Sequence, residues 1–349
     1  MSTILSIISH IAGVVLVLLA ISDFCLTAFI PNKEGWFTRR VSRIVYSIMF
    51  SLAGKDGCAP ILNYMGFAII FSLSLFWIVC TWTGFTFIFL SDPGSVIHGN
   101  KGYSADLWEI IYFVGFSLST SGLGDFVASN DAWRIVTALS SVVGIMLITM
   151  SITYLVPVIS NMIQKRKLSI TIASLGESPE KIVLENYNGE DFSAITDHLT
   201  NISEMLFEYS RNHLAYPILH YMHDNNKNTN VVLKMSSLDE ALNIFLYHLP
   251  KDKCPQGLNL KMVRRSLTEY LTTLKFTDPA SEDPERPRLG EIEEGLGVKL
   301  RNTSKEDMDK IYSGLSERRR LWLANIHSNG FKWEHIRGNI FDEQLDHYE

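Results

Sequence analysis

Residues 120–125 read Thr-Ser-Gly-Leu-Gly-Asp, a spacing of small residues that suits cation binding by the backbone. Glycine adopts a positive φ without steric cost, so Gly122 and Gly124 allow successive carbonyls to point toward one axis. Four such strands around an axis form stacked rings of oxygens, which can replace the hydration shell of a monovalent cation. The pattern therefore predicts an ion-binding strand over residues 120–124.

A short apolar stretch, residues 107–118, leads directly into this strand. It is too short to cross a bilayer, which needs about 20 apolar residues. We predict a helix here, capped by Asp106 or Ser104, whose carboxyl end adds partial negative charge near the ion path. Non-helical backbone at membrane depth is tolerated only where it is buried in protein or lines a water-filled path. The strand is therefore expected to line such a path.

Three longer apolar segments frame this stretch: residues 4–30, 60–90 and 135–163. Each is long enough for a membrane-spanning helix. The fold class predicted is an all-α membrane protein with three transmembrane helices. A re-entrant helix and filter lie between the second and third, and a mainly helical domain follows. The expected divisions are an N-terminal helix (1–34), an interfacial linker helix (35–59), a pore module (60–164) and a regulatory domain (165–349).

The basic residues between the spans predict the orientation. The first link contains five of them, and Lys165, Arg166 and Lys167 follow the third span, whereas the segment between the second and third spans contains only Lys101 and Arg134. Because positively charged loops remain in the cytoplasm, the N-terminus is expected outside the cell and the C-terminal domain inside. The protein is expected in the cell membrane, in contact with lipids. Its net charge of −6 gives no indication of a nucleic-acid partner.

The sequence of residues 120–125 resembles the T-V-G-Y-G-D selectivity filter of potassium channels. The order of span, short helix, filter strand and span resembles the two-helix pore module of the prokaryotic members, here with an extra N-terminal helix. The resemblance covers residues 60–164 and implies a potassium-selective homotetramer with K⁺ ions in the filter. The resemblance indicates no organic cofactor. It does not identify a ligand or partner of the C-terminal domain.

The same resemblance implies a role for each filter residue. K⁺ is expected to bind the backbone carbonyl oxygens of four residues: Thr120, Ser121, Gly122 and Leu123. The side-chain hydroxyl of Thr120 would be a further ligand. Gly124 would form the outer mouth. Asp125 would brace the filter from behind, with Tyr112 at the position of the aromatic residue that bonds this acid in relatives.

Two residues depart from the family pattern. Ser121 stands where valine or isoleucine is usual, and Leu123 stands where tyrosine or phenylalanine is usual. Leucine cannot donate the hydrogen bond that the tyrosine makes. Two alternatives therefore stay open: a weakly selective sodium and potassium channel, and a non-conducting membrane-anchored sensor. An enzyme is disfavoured, because no nucleophile–base pair or metal-ligand spacing stands out.

The third span contains two candidate gating residues. Gly144 lies 22 residues after Gly122, where related inner helices carry a glycine hinge. Close helix packing is the alternative explanation for this glycine. Pro157 removes one helical hydrogen bond and is expected to kink the helix near an inner gate, unless it marks a mere irregularity at the membrane exit.

The first span has a single charged residue, Asp23, which is expected to snorkel to the interface or to pair with Arg39 or Arg40, with a role in gating as the alternative. The linker that follows shows helical spacing of apolar residues between 41 and 52. This spacing is typical of an amphipathic helix in the membrane interface, or of one packed by its apolar face on protein.

The C-terminal region predicts helices near residues 192–223, 237–249, 258–274 and 303–327. Ser178 before Pro179 predicts a helix start, and capping boxes are predicted at 237–240 and 303–306. Residues 278–289 predict an exposed loop. Three histidines are expected on a helix face, with their ring nitrogens hydrogen-bonded or solvated rather than bound to a metal: His213, His220 and His223. A run of arginines is expected on a solvated helix face: Arg318, Arg319 and Arg320. The absence of G-x-G-x-x-G disfavours a Rossmann-type regulator.

Overall fold

The computed structural model of the chain describes residues 3–30, 33–274, 278–301 and 304–337. Three helices in this part are long and apolar enough to cross a membrane: α1 (Thr3–Phe29), the segment Pro60–Leu90, which contains α3 (Met65–Leu90), and α5 (Asp131–Ala173). Between α1 and α3 lies α2 (Trp36–Leu52). The short apolar helix α4 (Leu107–Leu118) lies between α3 and α5. The all-α membrane fold is therefore confirmed.

The chain divides into two compact units. The membrane unit comprises Met1–Tyr46 and Phe67–Ile159, and the C-terminal unit comprises Ser47–Gly66 and Ser160–Glu349. A two-stranded antiparallel sheet in the membrane unit flanks α4, with β1 (Val96–His98) before it and β2 (Phe126–Ala128) after it. Phe89, Phe113 and Val114 are fully buried in the core that α3 and α4 share.

The linker helix α2 presents a polar side to the protein and an apolar side outward. Thr38 and Ser42 are buried, whereas Ile44, Ile48 and Leu52 are more than half exposed. Met49 of the same stripe is buried, so within this chain the apolar stripe is packed at that residue and exposed at the three others.

The remaining helices belong to the C-terminal unit: α6 (Pro179–Leu184), α7 (Thr196–Ala215), α8 (Val231–Tyr247), α9 (Gly257–Thr273), α10 (Leu289–Leu296) and α11 (Lys305–Ser328). Ser178 caps α6, and Pro179 occupies its first turn, as predicted. Ser304 caps α11 by accepting from the backbone N–H of Asp307, whereas Thr303 lies outside the described residues. The predicted loop before α10 carries no regular structure from 278 to 288.

The capping box predicted at residues 237–240 is wrong. Helix α8 begins six residues earlier, where the Asn230 side chain accepts from the N–H groups of Val232 and Leu233. Every residue of α8 from Val231 to Phe245 is buried, so this helix is the centre of the unit. Its polar residues must therefore find partners on the surrounding helices.

The expectation of a solvated arginine run at 318–320 is also wrong. Arg319 is 2% exposed and forms a two-point ion pair with Glu240, at 2.8 and 3.1 Å. Arg318 pairs in the same way with the fully buried Asp239, which also accepts from Arg264. Burial alone would raise the pKa of Asp239, but these two guanidinium groups outweigh it and lower that pKa. The polar face of α8 is thus neutralised by arginines of α9 and α11.

Among the described residues, no group of three His, Cys, Asp or Glu side chains lies close enough together to hold a metal ion. His213 is buried, and burial, with His220 and Lys165 nearby, lowers its pKa to about 3. The His223 Nε2 lies 2.7 Å from the Gly57 carbonyl oxygen, and His220 is exposed. This arrangement favours the predicted surface and structural roles.

Candidate functional site

Helix α4 starts with a complete capping box. The Asp106 carboxylate accepts from the backbone N–H of Glu109 at 2.9 Å, and the Glu109 carboxylate accepts from that of Asp106 at 2.8 Å. The Tyr103 hydroxyl donates to the same glutamate. Two of the helix's free N–H groups are satisfied in this way, so the start of α4 is fixed.

The strand leaves the carboxyl end of α4 through a tight turn. The backbone N–H of Thr120 donates to the Ser117 carbonyl at 3.1 Å, and that of Ser121 donates to the Phe116 carbonyl at 2.9 Å. Both bonds use carbonyls of the last helical turn, which lack the i+4 partner of a continuing helix or share it with the turn. The carboxyl end of α4, with its partial negative charge, is therefore directly continuous with residue 120.

Alternate residues of the strand adopt a left-handed backbone. The φ angle is +59° at Thr120, +59° at Gly122 and +81° at Gly124, whereas Ser121 and Leu123 lie outside this region. Such alternation turns successive N–H groups to one side of the chain and the carbonyls to the other. The positive φ predicted for the two glycines is confirmed, and Thr120 extends the pattern by one residue.

The carbonyls of this strand are free to bind an ion. Within the part of the chain that the structure describes, the oxygens of residues 120–123 accept no hydrogen bond. The residues themselves are exposed, with Leu123 at 60%. Unpartnered carbonyls in an apolar segment carry a large free-energy cost unless a ligand or water satisfies them.

Two contacts hold the outer end of the strand from behind. The Tyr112 hydroxyl lies within hydrogen-bonding reach of the Asp125 carboxylate, as the sequence predicted. The backbone N–H of Gly99, just after β1, donates to the Asp125 carbonyl at 2.8 Å. The role of Gly99 was not predicted, because only the antiparallel pairing of His98 with Phe126 brings it there.

Helix α5 packs tightly on the carboxyl end of α4. The Ser141 hydroxyl donates to the Ser117 carbonyl at 2.9 Å. One turn later, a Cβ added at Gly144 would lie 1.9 Å from the carbonyl oxygen of Leu118. The contact favours close packing, the alternative to a hinge, as the reason for this glycine. Ser141 is a further residue that holds α5 against the end of α4. It lies three residues before Gly144, on the same face of α5, and this spacing could have identified it from the sequence.

The comparisons with known proteins agree with this geometry. Residues 65–161, which contain α3, α4, the strand and most of α5, match a family model described as "Ion channel". The uncharacterized membrane protein YdjJ of Bacillus subtilis (strain 168) is 31% identical over 337 residues, which cover 95% of this chain and 97% of that protein. The chain belongs to that membrane-protein family and carries an ion-channel domain. No solved structure matches it.

The inner helix of the channel domain is continuous through Pro157. Helix α5 extends from Asp131 to Ala173 with this proline inside it. Proline has no N–H, so the carbonyl four residues earlier, that of Thr153, lacks its usual helical donor. The helix is weakened at this point without being interrupted.

Asp23 does not pair with Arg39 or Arg40, contrary to the sequence-based expectation. Its carboxylate, 3% exposed, accepts from the backbone N–H groups of Phe37 and Thr38, the Thr38 hydroxyl and the Trp77 indole N–H. Arg39 pairs with Glu34 at 3.5 Å, and Arg40 stacks on Trp36 at 3.9 Å. Asp23 thus caps the start of α2 and joins α1 to α3.

Replacing Asp23 with asparagine is expected to lower the free energy of unfolding by about 1–3 kcal/mol, because an amide cannot accept from all of these buried donors. Thermal unfolding of the purified protein in detergent measures the loss. Asp131→Asn is the matched control, since its carboxylate is 92% exposed and pairs only with Arg134. Equal melting temperatures for the two variants would contradict the capping role.

Proposed function

We propose that the protein is a potassium-selective channel whose filter is built from residues 120–124 of four identical chains. The observation that supports this most directly is the alternating left-handed backbone at Thr120, Gly122 and Gly124, with the intervening carbonyls free. A single strand offers carbonyls on one side only, so a ring around an ion requires several copies. Four copies give the stacked oxygen rings that replace the hydration shell of K⁺.

In this proposal the parts of the channel domain have separate roles. The carbonyls of residues 120–123, with the Thr120 hydroxyl, bind dehydrated K⁺, and Gly124 forms the outer mouth. Asp125 and Tyr112 maintain the shape of the strand from behind. Helix α5 lines the inner path, where weakening at Pro157 favours bending near a gate.

The orientation proposed for the channel places the N-terminus outside and the C-terminal domain in the cytoplasm, because basic residues concentrate in the first link and after the third span. The outward apolar side of α2, with its neighbouring arginines, then lies at the cytoplasmic membrane interface. The stimulus that opens the channel acts through the C-terminal unit in this scheme.

The decisive experiment is reconstitution of the purified protein into planar lipid bilayers, with potassium on one side and sodium on the other. A reversal potential near the potassium equilibrium value supports the proposal. A reversal potential near zero, with current, supports the weakly selective channel, which the missing hydroxyl at Leu123 favours. No current from tetramers whose size is verified by cross-linking supports the non-conducting sensor.

Leu123→Tyr is expected to conduct and to increase the potassium-to-sodium permeability ratio by roughly two- to tenfold. The reason is that one restored hydrogen bond behind the filter contributes about 0.5–1.5 kcal/mol. Reversal potentials of the parent and the variant measure the ratio. Leu123→Phe is the matched control, because it adds the ring without the hydroxyl. An equal change in both variants would show that ring size, and not the hydrogen bond, is responsible.

A further inference from the structure

A cavity of about 460 Å³ lies within the C-terminal unit, beside the last third of α5. Lys165 and Arg166 of α5 form one wall, and the loop that follows residue 221 forms another. Asn63 and Met162 complete the lining on the other sides. This volume lies at the lower end of the range typical of pockets for small ligands.

The cavity lining contains two cations and one carboxylate, that of Asp224, whose charge acts on Lys165. Lys165 is partly buried, and its ammonium donates to the backbone carbonyl of Met222. Among the described residues, neither Lys165 nor Arg166 has a carboxylate within 4.0 Å. The nearby Asp224 uses one carboxylate oxygen for the N–H of Asn226 and the other for the hydroxyl of Thr229. The two cations against one carboxylate leave one positive charge in excess, and partial burial of an ammonium that forms no ion pair costs free energy that an anion would recover.

The other polar groups of the cavity leave hydrogen-bond donors free. Asn226 uses its side-chain oxygen to accept from Asn228 at 2.9 Å, and its amide N–H groups have no partner in the described part of the chain. Two protons of the Lys165 ammonium and the whole guanidinium of Arg166 are free in the same sense. The free donors on two cations outnumber the single carboxylate, whose oxygens already accept from Asn226 and Thr229, and this excess suits a ligand that only accepts hydrogen bonds.

We propose that this cavity binds a phosphate-type oxyanion through Lys165, Arg166 and the Asn226 amide. The ligand then joins α5 to the 222–229 loop of the same unit. Because α5 is one helix from Asp131 to Ala173, an anion held by Lys165 acts on the helix that also packs on the carboxyl end of α4 at Gly144. The binding itself does not depend on the proposed conduction.

Isothermal titration of the full-length protein in detergent with inorganic phosphate tests the proposal. Lys165→Met keeps the aliphatic stem and removes the charge, so it is expected to weaken phosphate binding about tenfold or more. Lys167→Met is the matched control: it makes the same change on the same helix at an exposed position that does not line the cavity, and it should bind as the parent does. Measurable phosphate binding with equal affinity in the parent and Lys165→Met would overturn the proposal.

A second titration tests whether the bound phosphate group belongs to a free anion or to a lipid headgroup. Lipid nanodiscs of phosphatidylcholine with and without phosphatidic acid are compared, again with both variants. Binding of inorganic phosphate that depends on Lys165 identifies a free anion, and Lys165-dependent binding of phosphatidic acid alone identifies a lipid headgroup. Absence of both overturns the proposal.

Thermal unfolding adds a readout that a purely structural role of Lys165 would not give. Without phosphate, Lys165→Met should melt no lower than the parent, because removal of a partly buried charge that forms no ion pair offsets the loss of its hydrogen bond to the Met222 carbonyl. With phosphate, only the parent should gain stability. A variant that melts lower in both conditions would contradict the ligand role. Should Lys165→Met fail to fold, Arg166→Gln, at an exposed position, is expected to show the same loss of phosphate affinity.

Discussion

Gly122→Ala is expected to abolish potassium-selective current while leaving the protein in the membrane. The φ angle of +59° at this position costs an alanine about 1–2 kcal/mol. A channel of four chains incurs this cost four times, about 4–8 kcal/mol in total. The strand can relieve it by rotating the peptide groups beside residue 122, which turns their carbonyls away from the ion path.

The effect is expected to be conformational, because a Cβ at Gly122 meets no atom of its own chain within 4 Å. Gly102→Ala is therefore a well-matched control. Its φ angle is +71°, a Cβ there also meets nothing within 4 Å, and it lies in the exposed loop after β1. Both variants carry the same kind of backbone cost, but only one lies in the strand.

Reversal potentials and single-channel currents of the two variants in reconstituted bilayers provide the measurement. Gly102→Ala should conduct as the parent does. If Gly122→Ala kept the parent's conductance and permeability ratio, the left-handed strand would not be the ion-binding element. The proposed potassium filter would then be withdrawn.

The parts of the fold that sequence predicts well are those with local signals. The start of α4 at Asp106 depends on an acid three residues away, and that of α6 depends on Ser178 beside Pro179. Glycine at positions 122 and 124 permits a positive φ, and the structure has it at both. These predictions are confirmed. The sequence could make them because both partners of each interaction lie within a few residues of each other.

The interactions that sequence cannot predict join residues far apart. Arg319 looks like a surface residue until Glu240, 79 positions earlier, is brought against it by the packing of α8. Asp23 has arginines 16 and 17 positions later, yet it bonds to Trp77 on another helix. The pattern at 237–240 imitates a capping box within a helix that Asn230 has already started. Each of these outcomes depends on tertiary packing, which overrides local preference.

The spacing of Gly144 from the filter is a case in which one pattern fits two structures. A hinge and a close contact both require a residue without a side chain, so the sequence leaves them open. The structure separates them, because the carbonyl oxygen of Leu118 occupies the space that a Cβ at Gly144 needs. The atoms in the way belong to the backbone of α4, so no side-chain rotation can relieve the overlap.

Gly144→Ala is consequently expected to change permeation itself. The added methyl must displace α5 or the end of α4, and Leu118 lies only two residues before Thr120 in the proposed ion-binding strand. We expect loss of current, or a strongly reduced unitary conductance with altered selectivity. A hinge would predict a different result: a lower open probability with normal unitary conductance and selectivity. Single-channel recordings of the reconstituted variant distinguish the two.

Gly314→Ala is the control for the general effect of alanine on a helix. Gly314 lies inside α11 with nothing within 4 Å of its added Cβ, so the substitution should raise helix stability by about 1 kcal/mol and leave the current unchanged. Assembly of both variants is checked by cross-linking before recording. Normal unitary conductance and selectivity in Gly144→Ala, with only its open probability lowered, would restore the hinge. The packing of α5 on α4 would then not maintain the shape of the filter.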